Sequence, residues 1–175
     1  MKFFTALLFL LVTLAGVRAD DPAKFAVGAY EFTRPAEWKW VEPTSTMRKA
    51  QLQIAGKDGA RSADVTFFFF GSGQGGDVGA NVQRWLGQFT GKTDAGKTEP
   101  LEVKDVKVTL VSTEGTMKAS PFGGQPDDLP DSALLGAIIE HAEGAVFVKM
   151  TGPVALVKES REKFVTMVKA AAEKK

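Results

Sequence analysis

The chain contains no cysteine. No disulfide can brace the fold, and no lipid can be attached through a cysteine behind a leader. It has one histidine, His141. Zinc, copper and haem sites draw on histidine and thiolate, so the ligand set for each of them is missing. His141 stands beside Glu140 and Glu143 in a short segment between two apolar runs, which suits a turn at the surface better than a Ser-His-Asp triad. No sign of charge is in excess: 22 basic and 21 acidic residues leave a formal net charge of +1, with no global pull toward nucleic acid. No Gly-Lys-Ser/Thr follows a glycine loop, which excludes a P-loop. No carboxylate pair lies in an apolar setting that would raise one pKa for glycoside chemistry. Asp127, Asp128 and Asp131 cluster, but not in the spacing of an EF-hand.

What is present first is an address. Lys2 precedes an apolar stretch over residues 3–17, and Val17-Arg18-Ala19 supplies small residues before a cut. This pattern is that of a cleavable secretory signal, with cleavage expected between Ala19 and Asp20. The apolar run is shorter than the ~20 residues a spanning helix needs. Loss of Lys2 and Arg18 brings the net charge to −1. An exported chain without disulfides fits a bacterial envelope, so the expectation is a periplasmic or secreted protein, with residues 20–175 forming one domain.

The chain is organised around residues 64–89, a strand, a glycine loop and a helix. Phe67, Phe68, Phe69 and Phe70 form an unbroken aromatic run. Successive strand side chains point to opposite faces, so burial of all four rings requires cover on both faces of the sheet. Val82, Trp85, Leu86 and Phe89 follow helical spacing, and Asp77 is placed to cap that helix. Gly71, Gly73 and Gly76 satisfy the G-x-G-x-x-G pattern after a strand and before a helix. The acidic residue that should follow about 20 positions on falls in a polar loop, and no further βα unit succeeds it. The glycines are read instead as the means of a sharp exit from a crowded strand.

Elsewhere, alternation predicts strands near residues 29–33, 47–54 and 103–116, and residues 133–140 and 145–151 are two apolar runs. Residues 91–100 and the proline-rich 121–130 read as loops, and residues 141–144 as a hairpin connection. A final helix follows Gly152-Pro153, with Val157, Phe164, Val168 and Ala171 on its buried stripe. Trp38, Trp40 and Trp85 could form a sugar platform, but two of them lie in periodic or turn-anchoring positions, which favours core packing.

The candidate binding surface is the glycine loop with Gln74 and the polar side chains Asn81, Arg84 and Gln88, three and four residues apart. The 121–130 loop is a further candidate. No catalytic residue, metal ligand or cofactor is assigned.

Phe32-x-x-Pro35-x-x-Trp38, the strands at 50–54 and 67–70, and the segment 146–153 ahead of a helix containing Phe164 occur in an order that resembles the Mog1/PsbP-like superfamily. The stretch GQGGDVGANVQRWLGQF looks like an exported bacterial branch of it. The resemblance implies an α+β fold, an antiparallel β-sheet flanked by helices on both faces as a three-layer α/β/α sandwich. It also implies a non-enzymatic accessory or binding role, and the first reading is an envelope module with a protein or peptide partner. A small-ligand or sugar-binding protein is the alternative, and a hydrolase the third reading.

Overall fold

The computed structural model describes residues 22–91, 95–120 and 126–174. The segment read as a signal, residues 1–19, lies outside them. Ten strands and two α-helices follow one another: β1 (Lys24–Val27), β2 (Tyr30–Thr33), β3 (Lys39–Trp40), β4 (Arg48–Ile54), β5 (Ala63–Phe69), α1 (Val78–Leu86), β6 (Phe89–Thr90), β7 (Lys97–Val103), β8 (Val106–Met117), β9 (Leu129–Ile139), β10 (Val146–Pro153) and α2 (Val154–Glu173). β1 and β2 form a separate hairpin. The other strands form one sheet in the order β3-β4-β5-β10-β9-β8-β6, with β7 also paired to β8. Each pairing between described strands is antiparallel.

The larger core lies between one face of the sheet and α2 with the β1–β2 hairpin. Phe32, Trp38, Phe67 and Phe164 are buried there. α2 supplies Val157, Phe164, Met167, Val168 and Ala171 on one stripe, and its 20 residues span about 30 Å. The second face carries a smaller cluster built from Val82, Trp85, Phe89, Val111, Leu134, Ile138 and Phe147.

The three-layer sandwich expected from the sequence is therefore corrected. The molecule is a mostly antiparallel sheet with two α-helices among the described residues, one of them C-terminal. The reason is reach. α1 has nine residues, about 14 Å of helix, against strands spaced about 4.8 Å apart across an eight-stranded sheet. It caps part of the second face and forms no layer.

The same shortfall corrects the reading of the phenylalanine run. Phe67 is fully buried and Phe69 half-buried against the larger core, but Phe68 is only half-buried and Phe70 is 39 % exposed. Alternation sends Phe68 and Phe70 to the second face, which α1 covers only in part. Two loop readings also shift. β7 begins at Lys97, with Pro100 accommodated on a strand that pairs on one side only. Phe89 lies past the helix, in β6, yet stays buried in the same cluster as Trp85.

Candidate functional site

The uncovered part of the second face is a groove of about 1070 Å³. Register builds its floor. β5 and β10 pair Asp64 with Thr151, Thr66 with Lys149, and Phe68 with Phe147. β4 places Gln51 beside Thr66, and β9 places Gly136 beside Lys149. α1 forms one wall because Trp85 can descend onto the sheet at Gly136. A Cβ at position 136 would stand 2.2 Å from the indole, so only glycine admits the ring.

Half of the groove is aromatic. Phe68 and Phe70 stack with centroids 6.4 Å apart, Phe70 lies 5.9 Å from Phe147, and Phe147 meets Trp85 edge-on at 6.4 Å. Met47 and Phe70 are the exposed large hydrophobic residues among those described, at 60 % and 39 % exposure, and both line this groove.

The other half is cationic. Arg48, Arg61, Arg84, Lys118 and Lys149 line it, against one carboxylate, Asp64. The Lys149 ammonium donates to Gln88 Oε1 at 2.9 Å. Arg48 donates to Gln51 Oε1 at 2.8 Å, and Arg84 donates to Asn81 Oδ1. Arg61 is committed to the fold, donating to the Asp131 carbonyl at 2.8 Å. Among the described residues, no ion pair includes Arg48, Arg84 or Lys149. Burial, reinforced by the positive charges of Arg48 and Arg84, pushes the Lys149 ammonium down to about 8.

That depression has a consequence for stability. Lys149 loses its proton near pH 8 in the folded chain and near 10.5 in the unfolded one, so the unfolded state binds more protons between them. Stability contributed by this site is thus lowest below pH 8 and rises toward pH 10.5. Lys149→Met, which carries no charge at any pH, is expected to be more stable than wild type by about 1–3 kcal/mol at pH 7, with the difference shrinking as pH rises. Urea unfolding of both proteins across pH 7–10 measures it. A gap that is constant with pH would show that Lys149 is not strained by its neighbours.

The residues singled out in the sequence separate here. Asn81 is buried; its amide donates to the carbonyls of Gly75 (2.7 Å) and Asp77 (2.9 Å), tying the glycine loop to the helix. Asp77 caps the same helix by accepting from the Ala80 amide at 2.8 Å. Arg84 is exposed on the groove wall, and Gln88, beyond the helix end, reaches the groove through Lys149. Gln74 is exposed in the loop and does not line the groove. Asn81→Ala is accordingly expected to cost about 1–3 kcal/mol, because the Gly75 carbonyl loses its side-chain donor and the Asp77 carbonyl keeps only the backbone amide of residue 81, whereas Arg84→Ala stays within about 0.5 kcal/mol. Denaturant midpoints of the two variants distinguish scaffold from surface.

Lys149, Arg48, Phe68 and Phe70 were not assigned to a site from sequence. Lys149 carried the available signal, as the single charge in the apolar run 145–151. Other candidates fall elsewhere. Trp38 and Trp85 are core residues, and Trp40 donates to Glu42 Oε1 at 2.8 Å, so the three do not form a platform. His141 sits in the β9–β10 turn, its Nδ1 accepting from the Glu143 amide at 3.1 Å. Residues 121–125 of the proline-rich loop lie outside the described residues; Asp128, beyond them, accepts from the Ala119 amide at 2.8 Å. β5 lies between β4 and β10, antiparallel to both, so the glycine loop belongs to no parallel βαβ unit. A second cleft, of about 370 Å³ beside α2, is bordered by the ion pairs Arg161–Glu99 (2.7 Å) and Lys158–Glu114 (2.9 Å). Both of its carboxylates are thus already paired, and Lys97 is the remaining charge on its lining.

No protein-family model and no curated protein matches this chain. Among solved structures it is similar to a Pseudomonas aeruginosa protein of unknown function, at 12 % identity over 83 % of this chain and 92 % of that one, with a TM-score of 0.49. Among the described residues, no helix is long and apolar enough to cross a membrane, and no group of three histidine or acidic side chains could hold a metal.

Proposed function

We propose that this protein is a non-enzymatic binding protein of the bacterial envelope, and that it binds through the groove on the open face of its sheet. One observation carries the reading: the exposed large apolar side chains among the described residues, Met47 and Phe70, both lie in this groove. Apolar surface gathered in a concave patch rimmed by polar groups marks an interaction site. The signal-like N-terminus supplies the envelope, and an accessory role is also what the Mog1/PsbP-like resemblance implies.

The groove favours a small ligand over a protein partner. Its volume, about 1070 Å³, lies just above the ordinary range of ligand pockets, about 300–1,000 Å³. Its floor is the face of a sheet, whose backbone groups are already paired, so it offers nothing to a strand adding along it. The test uses thermal unfolding of the purified protein in the presence of envelope extract divided into a macromolecular and a low-molecular-mass fraction. The low-mass fraction should raise Tm of wild type but not of Arg84→Ala/Phe70→Ser, since ligand bound to the native state stabilises it. Protection by the macromolecular fraction alone would return the role to a protein partner. Equal protection of the variant would place binding outside the groove.

A further inference from the structure

The geometry points to a single-chain anionic amphiphile as the occupant, its oxyanion head among Arg48, Arg84 and Lys149 and its chain along Phe68, Phe70 and Phe147. This inference rests on the groove being the binding surface and names what fills it. Three cationic side chains converge from separate elements, β4, α1 and β10, on one stretch of the floor. Each has a neutral amide as its hydrogen-bond partner, and among the described residues none has a carboxylate counter-ion. Like charges held this close raise the free energy of the empty site, and an anion placed between them removes that cost. The burial of Lys149 strengthens the attraction, because charges interact more strongly out of water.

The charge on offer is one-sided. Arg and Lys side chains only donate, which suits a carboxylate or phosphate that only accepts. A peptide backbone carries no net charge and would leave Arg48, Arg84 and Lys149 without a counter-ion on a lining that carries a single carboxylate, Asp64. The aromatic half then decides the rest of the molecule. The rings of Phe68, Phe70, Phe147 and Trp85 follow one another at 5.9–6.4 Å, a continuous apolar strip beside the cations. A head group alone would leave that strip in water, whereas an alkyl chain covers it.

Isothermal titration with dodecyl compounds below their micelle-forming concentrations provides the test. Dodecanoate and dodecyl phosphate should bind the wild-type protein, and which binds more tightly identifies the head. Dodecanol, dodecyltrimethylammonium, acetate and inorganic phosphate should each bind at least tenfold more weakly. Arg84→Gln, on an exposed side chain, should weaken dodecanoate about tenfold and leave dodecanol unchanged, while Phe70→Ala should weaken every dodecyl compound. Equal affinity for dodecanol and dodecanoate, or dodecanoate affinity indifferent to both substitutions, would overturn the inference. If no dodecyl compound binds, yet the low-mass extract still protects wild type and not the groove variant, the ligand class is wrong and the groove stands. If neither occurs, both fall.

Discussion

Alanine at Phe67 is expected to destabilise the protein by about 3–5 kcal/mol, whereas alanine at Phe70, three residues on in the same aromatic run, should cost less than about 1 kcal/mol. Phe67 is fully buried and meets Phe25 and Phe32 edge-on, each at a centroid distance of 5.0 Å. Its removal opens a cavity beneath the β1–β2 hairpin that a packed interior cannot close. Phe70 stands at the groove with 39 % of its surface in water, and truncation exposes little that was dry. Equilibrium urea unfolding of the two variants measures the contrast. A cost above about 3 kcal/mol at both positions would mean that the second face is covered after all, and that the groove does not exist in solution.

The second large effect concerns Gly136. Glycine in the middle of a strand is ordinarily a weakness, and replacing it should stabilise by some tenths of a kcal/mol up to about 1. Here the sign is expected to reverse. The added Cβ of Gly136→Val would lie 2.2 Å and 2.7 Å from two carbons of the Trp85 ring, closer than any real contact. Trp85 and Val82 are the buried apolar side chains of α1, so lifting the indole undocks the helix. A loss of about 3 kcal/mol or more is expected, together with a shift of tryptophan fluorescence toward the exposed wavelength. Unchanged stability would show that α1 is not anchored through this contact, and the groove wall would lose its basis.

Several elements could be read directly from the residues. The alternation at 47–54 corresponds to β4, which begins one residue later at Arg48, and the helical spacing of Val157, Phe164, Val168 and Ala171 matched the stripe that α2 buries. Asp77 caps α1 as its short carboxylate suggested. These are local patterns, and local geometry decides them. The open second face was not legible, because burial of Phe68 depends on how far a helix elsewhere in the chain extends, and no pattern within the run reports that. Among the site residues, Asn81 and Arg84 are hydrogen-bonded, as their three-residue spacing allows, but Asn81 is buried and Arg84 exposed. The backbone carbonyls of Gly75 and Asp77, which bury Asn81, come from a loop whose path only the folded chain defines. Lys149, one charge in an apolar run, was a signal the sequence reading passed over. Its company gave no such signal, since Arg48 and Arg84 arrive from β4 and α1 through register and docking that single-sequence periodicity does not contain.

The most direct measurement is the titration of the Lys149 ammonium by NMR of lysine-labelled protein, with and without dodecanoate. Without ligand, the group should titrate near 8, held down by burial and by Arg48 and Arg84. With a carboxylate seated among the three cations, its pKa should rise by at least about one unit, because an opposite charge within a few ångströms favours the charged form. A pKa that stays near 8 while dodecanoate is demonstrably bound would place the anion elsewhere on the protein and contradict the assignment of this groove.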